Sequence, residues 1–137
     1  MLTEKDRERL TSHGWHVRHS FEVSSDPFAY RDYIRESRGE FSCVKPSCVR
    51  FQNAWISDRS ICYLASGLPV VVEHTGSSEV LPDDQGLFRF RDLDEAARAF
   101  DTLRNHYDDH ARAARRLAEE LFDSDLVLGG LLERLLG

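Results

Sequence analysis

The chain has 137 residues, 41% hydrophobic and 31% charged, with a formal net charge of −6. That length suits one domain with a real core. The acidic balance argues against duplex nucleic acid as partner, which requires a basic face to neutralise phosphates. The apolar runs are far shorter than the ~20 residues needed to span a bilayer, so no membrane span is expected. The N-terminus, MLTEKDRERL, lacks the apolar stretch of a signal peptide, and a cytoplasmic protein is expected.

Residues 3–12 favour helix, with Thr3 as cap and Asp6 three residues on. Gly14 breaks it. Residues 15–19 (WHVRH) alternate apolar and polar, which predicts a half-buried strand that Phe21 and Val23 extend. Ser24, Ser25, Asp26 and Pro27 signal a helix start, and the helix covers 27–37. A short strand is predicted at 40–44, with Phe41 and Cys43 on one face, ended by Lys45 and Pro46. Residues 46–56 are then a loop carrying Arg50, Phe51, Asn53 and Trp55.

Ser57 caps a helix that runs to about Ser66, with Gly67 as its natural terminator. Residues 68–73 (LPVVVE) are apolar on both faces, as in a central parallel strand covered by helices on both sides. A turn-rich loop spans 74–85, and a short strand covers 86–90. Asp92 and Glu95 form a capping box. The helix that follows, to about Arg104, is expected to bury Leu93, Ala96, Ala97, Phe100 and Leu103. A second helix, 107–122, places Ala111, Ala114, Leu117, Ala118 and Leu121 on one face. A last helix begins at Ser124. Its leucines must cover something, and Gly129 and Gly130 imply a bend or a close neighbour.

The expected fold is therefore α/β, a single Rossmann-like domain over 1–137. It has a parallel sheet of about four strands flanked by helices, and a helical C-terminal tail. Three cysteines, Cys43, Cys48 and Cys62, read as free, at least half-buried thiols. Their spacing does not suit zinc, and no metal site is expected.

Two segments carry candidate chemistry. Ligands in open α/β sheets bind outside the carboxyl ends of the strands. That places the loop HTGSSE after the valine strand in the crevice. Thr75, Gly76, Ser77 and Ser78 can hydrogen-bond a sugar or phosphate, and Glu79 can accept from a sugar hydroxyl; the same residues also make an ordinary turn. The helix start at Ser57, Asp58, Arg59 and Ser60 is the second. Free amides there bind anions. Ser57 and Ser60 can donate to a phosphate and Arg59 can pair with it, whereas Asp58 satisfies the helix dipole itself and repels a diphosphate. His74 is an acid/base candidate or a structural residue, and Trp55 either stacks on a base or fills the core. No nucleophile elbow, Walker loop or His-Glu-x-x-His motif is present, so no catalytic residue is assigned.

The segment ASGLPV (65–70), the loop GSSE (76–79), the strand GLF (86–88) and the tail ARRLAEELF (114–122) together resemble the carboxy-terminal, donor-binding half of GT-B glycosyltransferases of the group 1, family 4-like kind. The resemblance covers roughly residues 14–136. It implies a domain that binds a nucleotide-activated sugar as substrate, without a further cofactor, against 55–60 and 74–79. Arg59 and the helix amides would face the diphosphate, and Glu79 or Ser77 the sugar or ribose. Many retaining members carry paired glutamates eight positions apart; Ala54 and Cys62 stand there in this sequence. The resemblance also implies an amino-terminal acceptor domain. The chain is accordingly expected to be a truncated or split half, completed by a partner N-terminal domain or by homo-oligomerisation, and not active alone. The alternative is a non-catalytic nucleotide-binding or protein-interaction module.

Overall fold

The computed structural model describes residues 2–137. The chain divides into two compact units, one ending at Tyr33 and one spanning Ile34–Gly137. In the first, α1 (Glu4–Ser12) opens with the expected capping box between Thr3 and Asp6. The segment 15–19 is not a strand. Alternating hydrophobicity specifies a face but not a partner, and the backbone here caps helices instead of joining a ladder. Trp15 N donates to Leu10 O, and the His19 ring accepts from Phe21 N at the start of α2 (Ser20–Ser24). Phe21 and Val23 thus lie in a helix. Helix α3 (Pro27–Glu36) follows where the Asp26–Pro27 signal placed it, with Ala29 N donating to Asp26 Oδ2. Ile34 is its one buried residue among those described.

The second unit is built on an open sheet of three parallel strands among the described residues, not four. They are β1 (Glu40–Ser42), β2 (Val70–Glu73) and β3 (Leu87–Phe90), in that order across the sheet. Glu40 pairs with Val70, Val70 with Leu87, and Glu73 with Phe90. The valine strand lies at the centre with Val70, Val71 and Val72 all buried, as its two apolar faces require.

Successive side chains of a strand point to opposite faces. Glu40 meets Arg59 of α5 (Asp58–Ala65), whereas Phe41 stacks on Phe90 and tilts against Phe100 of α6 (Leu93–Leu121). Helix α5 therefore covers one face and the first half of α6 the other. Val71, Phe88, Phe90, Ala96 and Ala99 form the core between sheet and α6. Of the residues expected to be buried at the start of α6, Leu93 is 80% exposed and Phe100 is 45% exposed, and Ala99 takes the place of Ala97. Leu93 is the first helical residue, too far toward the helix end to reach the core.

Helix α6 bends at His106, where φ is −135° and ψ 37°, at the junction expected between two helices. Its second half packs along α5 and buries Ala113, Ala114, Leu117 and Ala118. A short helix, α4 (Pro46–Phe51), occupies what reads as loop in the sequence. Pro46 presets its first turn, and Gln52 ends it in the left-handed region. The final helix, α7 (Ser124–Leu136), runs through both glycines. No atom lies within 4 Å of a Cβ placed at either, so they mark no close neighbour. Its leucines do not cover a core: Leu126, Val127, Leu128, Leu131, Leu132, Leu135 and Leu136 are all more than half exposed. Cys43 and Cys62 are exposed and Cys48 is half-buried; all three are unpaired. No helix among the described residues is long and apolar enough to cross a membrane.

Candidate functional site

The carboxyl ends of the strands carry two clusters of polar groups. The first lies beside β1 and α5. Ser57 caps α5, its hydroxyl accepting from Arg59 N at 3.3 Å. The strand-to-helix turn after Ser42 is fixed by Glu73, whose Oε2 accepts from Val44 N at 3.0 Å. Between turn and helix start is a cavity of about 180 Å³, lined among others by Cys43, Lys45, Trp55, Ser57, Arg59 and Ser60. Trp55 is 46% exposed at its side, as an indole available for stacking must be.

Ser60 is fully buried, and its Oγ makes no hydrogen bond to any described residue. A buried hydroxyl in that state costs roughly 1–3 kcal/mol unless something binds it. Ser60 lines the cavity from the first turn of α5, the turn whose N–H groups have no partner within the helix. Arg59 is less available than the sequence implies. Its Nε donates to Glu40 Oε1 at 2.7 Å, and Glu40 is only 6% exposed. Ser42 Oγ donates to the same oxygen at 3.0 Å. The guanidinium thus holds a buried carboxylate, with its half-exposed remainder at the cavity wall.

The second segment, 74–79, works mainly as a brace. Thr75 is buried. Its hydroxyl donates to Trp55 O at 2.7 Å, and its carbonyl accepts from Ala54 N at 2.8 Å. Gly76 has φ +124°, and a Cβ there would lie 2.5 Å from Gln52 O. The glycine therefore lets the loop lie against 52–55 and so sets the height of Trp55. Ser78 closes a turn, accepting from Val80 N and Leu81 N. Ser77 and Glu79 are exposed and do not line the cavity, and neither does Asp58.

His74 belongs to the second cluster, at the ends of β2 and β3. Its Nδ1 accepts from Gly76 N at 3.2 Å, and its Nε2 lies 3.0 Å from the Arg91 guanidinium. Burial first, then the charges of Arg91 and Arg89, hold the imidazole below its ordinary value of 6.5. The unfolded chain therefore binds the proton more readily. Stability is full above about pH 6.5 and falls as pH drops through the window just beneath it. Urea midpoints at about pH 5.5 and 7.5 are expected to separate more in the native chain than in His74→Asn.

The structure thus brings together Trp55, Ser57, Arg59 and Ser60, makes Thr75 and Gly76 their support, and sets His74 apart. Sequence reasoning missed Lys45, Cys43 and Glu40, and the pairing of Arg91 with His74. Lys45 and Arg91 each lie just beyond a strand's carboxyl end, and the crevice rule applied to every strand finds both. Glu40 has no local signal, because its partner is 19 residues away. A larger cavity, about 440 Å³, lies over the α6 face, lined by Phe41, Val71, Phe100, Leu103 and Tyr107 among others. It holds none of the expected site residues. Its Arg38 is stacked on the Tyr107 ring, 4.6 Å from the centroid.

Comparison with family models, curated proteins and solved structures finds no match to this chain.

Proposed function

We propose that the cavity beside α5 receives the diphosphate of a nucleotide, and that the chain is a nucleotide-sugar-binding domain of the kind found in the donor half of GT-B glycosyltransferases. The observation that carries this reading is the buried, unpartnered hydroxyl of Ser60, a residue that lines a cavity at a helix N-terminus. A helix start supplies donors and a favourable field for an anion. Lys45 adds a positive charge at the rim, and Ser57 a second hydroxyl. The cavity's 180 Å³ is below the roughly 300 Å³ of a site that encloses a drug-sized ligand. The phosphates go in, and the base lies outside against the exposed face of Trp55. Ser77 and Glu79 have no role in this arrangement. The reading is one of binding; it assigns no catalytic base, and it implies a cytoplasmic protein that presents an activated sugar to an acceptor held elsewhere.

The test uses Trp55 as its own reporter. In a Trp15→Phe background, titration with nucleoside diphosphates is expected to quench the remaining tryptophan saturably, with inorganic diphosphate competing. Followed calorimetrically, Trp55→Ala is expected to weaken binding about tenfold, within the ~1–3 kcal/mol that base–aromatic stacking contributes. Absence of saturable binding by any nucleoside diphosphate overturns the reading.

A further inference from the structure

The contact between His74 and Arg91 is chemically incomplete. A neutral imidazole carries one N–H and one acceptor nitrogen. Nδ1 faces the Gly76 amide at 3.2 Å, and that amide can only donate. Nε2 faces the Arg91 guanidinium at 3.0 Å, and that group can only donate as well. Whichever nitrogen holds the proton, an N–H points at another N–H. His74 is 8% exposed, so water does not readily relieve the conflict. Arg91 is the movable partner, with a side chain 59% exposed.

We propose that His74 and Arg91 form an oxyanion site at the ends of β2 and β3, taking a phosphate or carboxylate group between Nε2–H and the guanidinium. The Gly76 amide fixes Nδ1 as the acceptor and so places the proton on Nε2. A guanidinium and a neighbouring N–H present the fork of donors that a two-oxygen acceptor matches. The surrounding charges set the balance. Arg89 adds positive charge, but its Nε is held by Asp83 at 2.5 Å, so that pair contributes little net charge. Glu95 Oε2, at the start of α6, accepts from the Arg91 backbone N–H at 2.7 Å and lies 3.8 Å from the guanidinium, a long ion pair that leaves the guanidinium open to a closer anion. A bound anion reverses the effect of Arg91 on the ring and draws the proton onto it. The site lies on the β3 side of β2, whereas the nucleotide cavity lies on the β1 side, and it does not rest on the nucleotide reading.

The experiment follows the His74 ring resonances by NMR in the full chain, with inorganic phosphate, acetate and chloride at matched ionic strength. A saturable shift of the His74 ring with phosphate or acetate but not chloride is expected, together with a rise in its titration midpoint. Arg91→Gln, at an exposed side chain, leaves the fold intact and is expected to abolish both effects. Response to phosphate alone or to acetate as well names the class of oxyanion. A response to neither, an equal response to chloride, or one that survives Arg91→Gln overturns the proposal. Because the readout is His74 and not Trp55, failure here leaves the nucleotide reading standing, and the converse holds.

Discussion

Gly86→Ala is expected to remove most of the stability of the second unit. Gly86 has φ +83°, and a Cβ there would overlap Ala114 N and lie 2.7 Å from Ala114 Cα and 2.8 Å from His110 O. All three are backbone atoms of α6, and backbone cannot swing aside as the tip of a side chain can. Strain at positive φ costs roughly 1–3 kcal/mol. Overpacking adds roughly another 1–3 kcal/mol. The sum is a large share of the ~5–15 kcal/mol that holds a domain together. Gly67 provides the control. It also has positive φ, +69°, but its nearest neighbours lie at an ordinary 3.6 Å. Urea denaturation is expected to show a loss of at least ~3 kcal/mol for Gly86→Ala and about 1 kcal/mol for Gly67→Ala. Equal losses would mean that α6 does not press on the start of β3.

Arg59→Ala is expected to show the second largest effect, and through stability before binding. The substitution leaves the Glu40 carboxylate buried with the Ser42 hydroxyl still donating to it. An uncompensated buried acceptor costs roughly 1–3 kcal/mol, more when charged; the half-exposed Arg59 side chain keeps the figure toward the lower end, since solvent screens the pair. Glu40→Gln in the same chain removes the stranded charge. The double variant is expected to recover more than half of the loss by urea denaturation. If it is as unstable as Arg59→Ala alone, the pair does not organise the wall of the cavity. A weakened affinity of Arg59→Ala for a nucleoside diphosphate then has to be read beside its stability, and Lys45→Ala, at an exposed rim position, isolates the electrostatic contribution.

The sequence was legible where local chemistry decides the structure. Three consecutive valines between a glycine–proline break and a histidine can be satisfied only by a strand buried on both sides, and β2 is that strand. Thr3, Ser57 and Asp92 start helices because their side chains reach amides two or three residues on, whatever the tertiary fold. Legibility failed where pairing decides. WHVRH has a strand's alternation, but its backbone groups find caps. PSCVRF is too short for helical periodicity to show, and only its proline hinted at α4. The leucines of α7 read as a core face and are exposed, because periodicity reveals an apolar stripe but not what lies opposite it.

The candidate site divides in the same way. The start of α5 was legible as a capped helix N-terminus, and a cavity lies beside it. HTGSSE was legible as a loop at a strand end, but Thr75 and Gly76 spend their hydrogen bonds and their space on the 52–55 segment. Polar loop residues read alike whether they face a ligand or a neighbouring loop; only the fold separates the two. The burial of Ser60, which carries the functional reading, is invisible in a sequence where it stands as one serine among several.

The most direct measurement is the map of backbone amide shifts when a nucleoside diphosphate is added to the labelled chain. The account predicts saturable shifts confined to 42–45, 55–60 and the end of β2, with Ser60 among the largest. Shifts centred on Phe41, Phe100 and Tyr107 around the larger cavity, or no saturable shift at all, would contradict it.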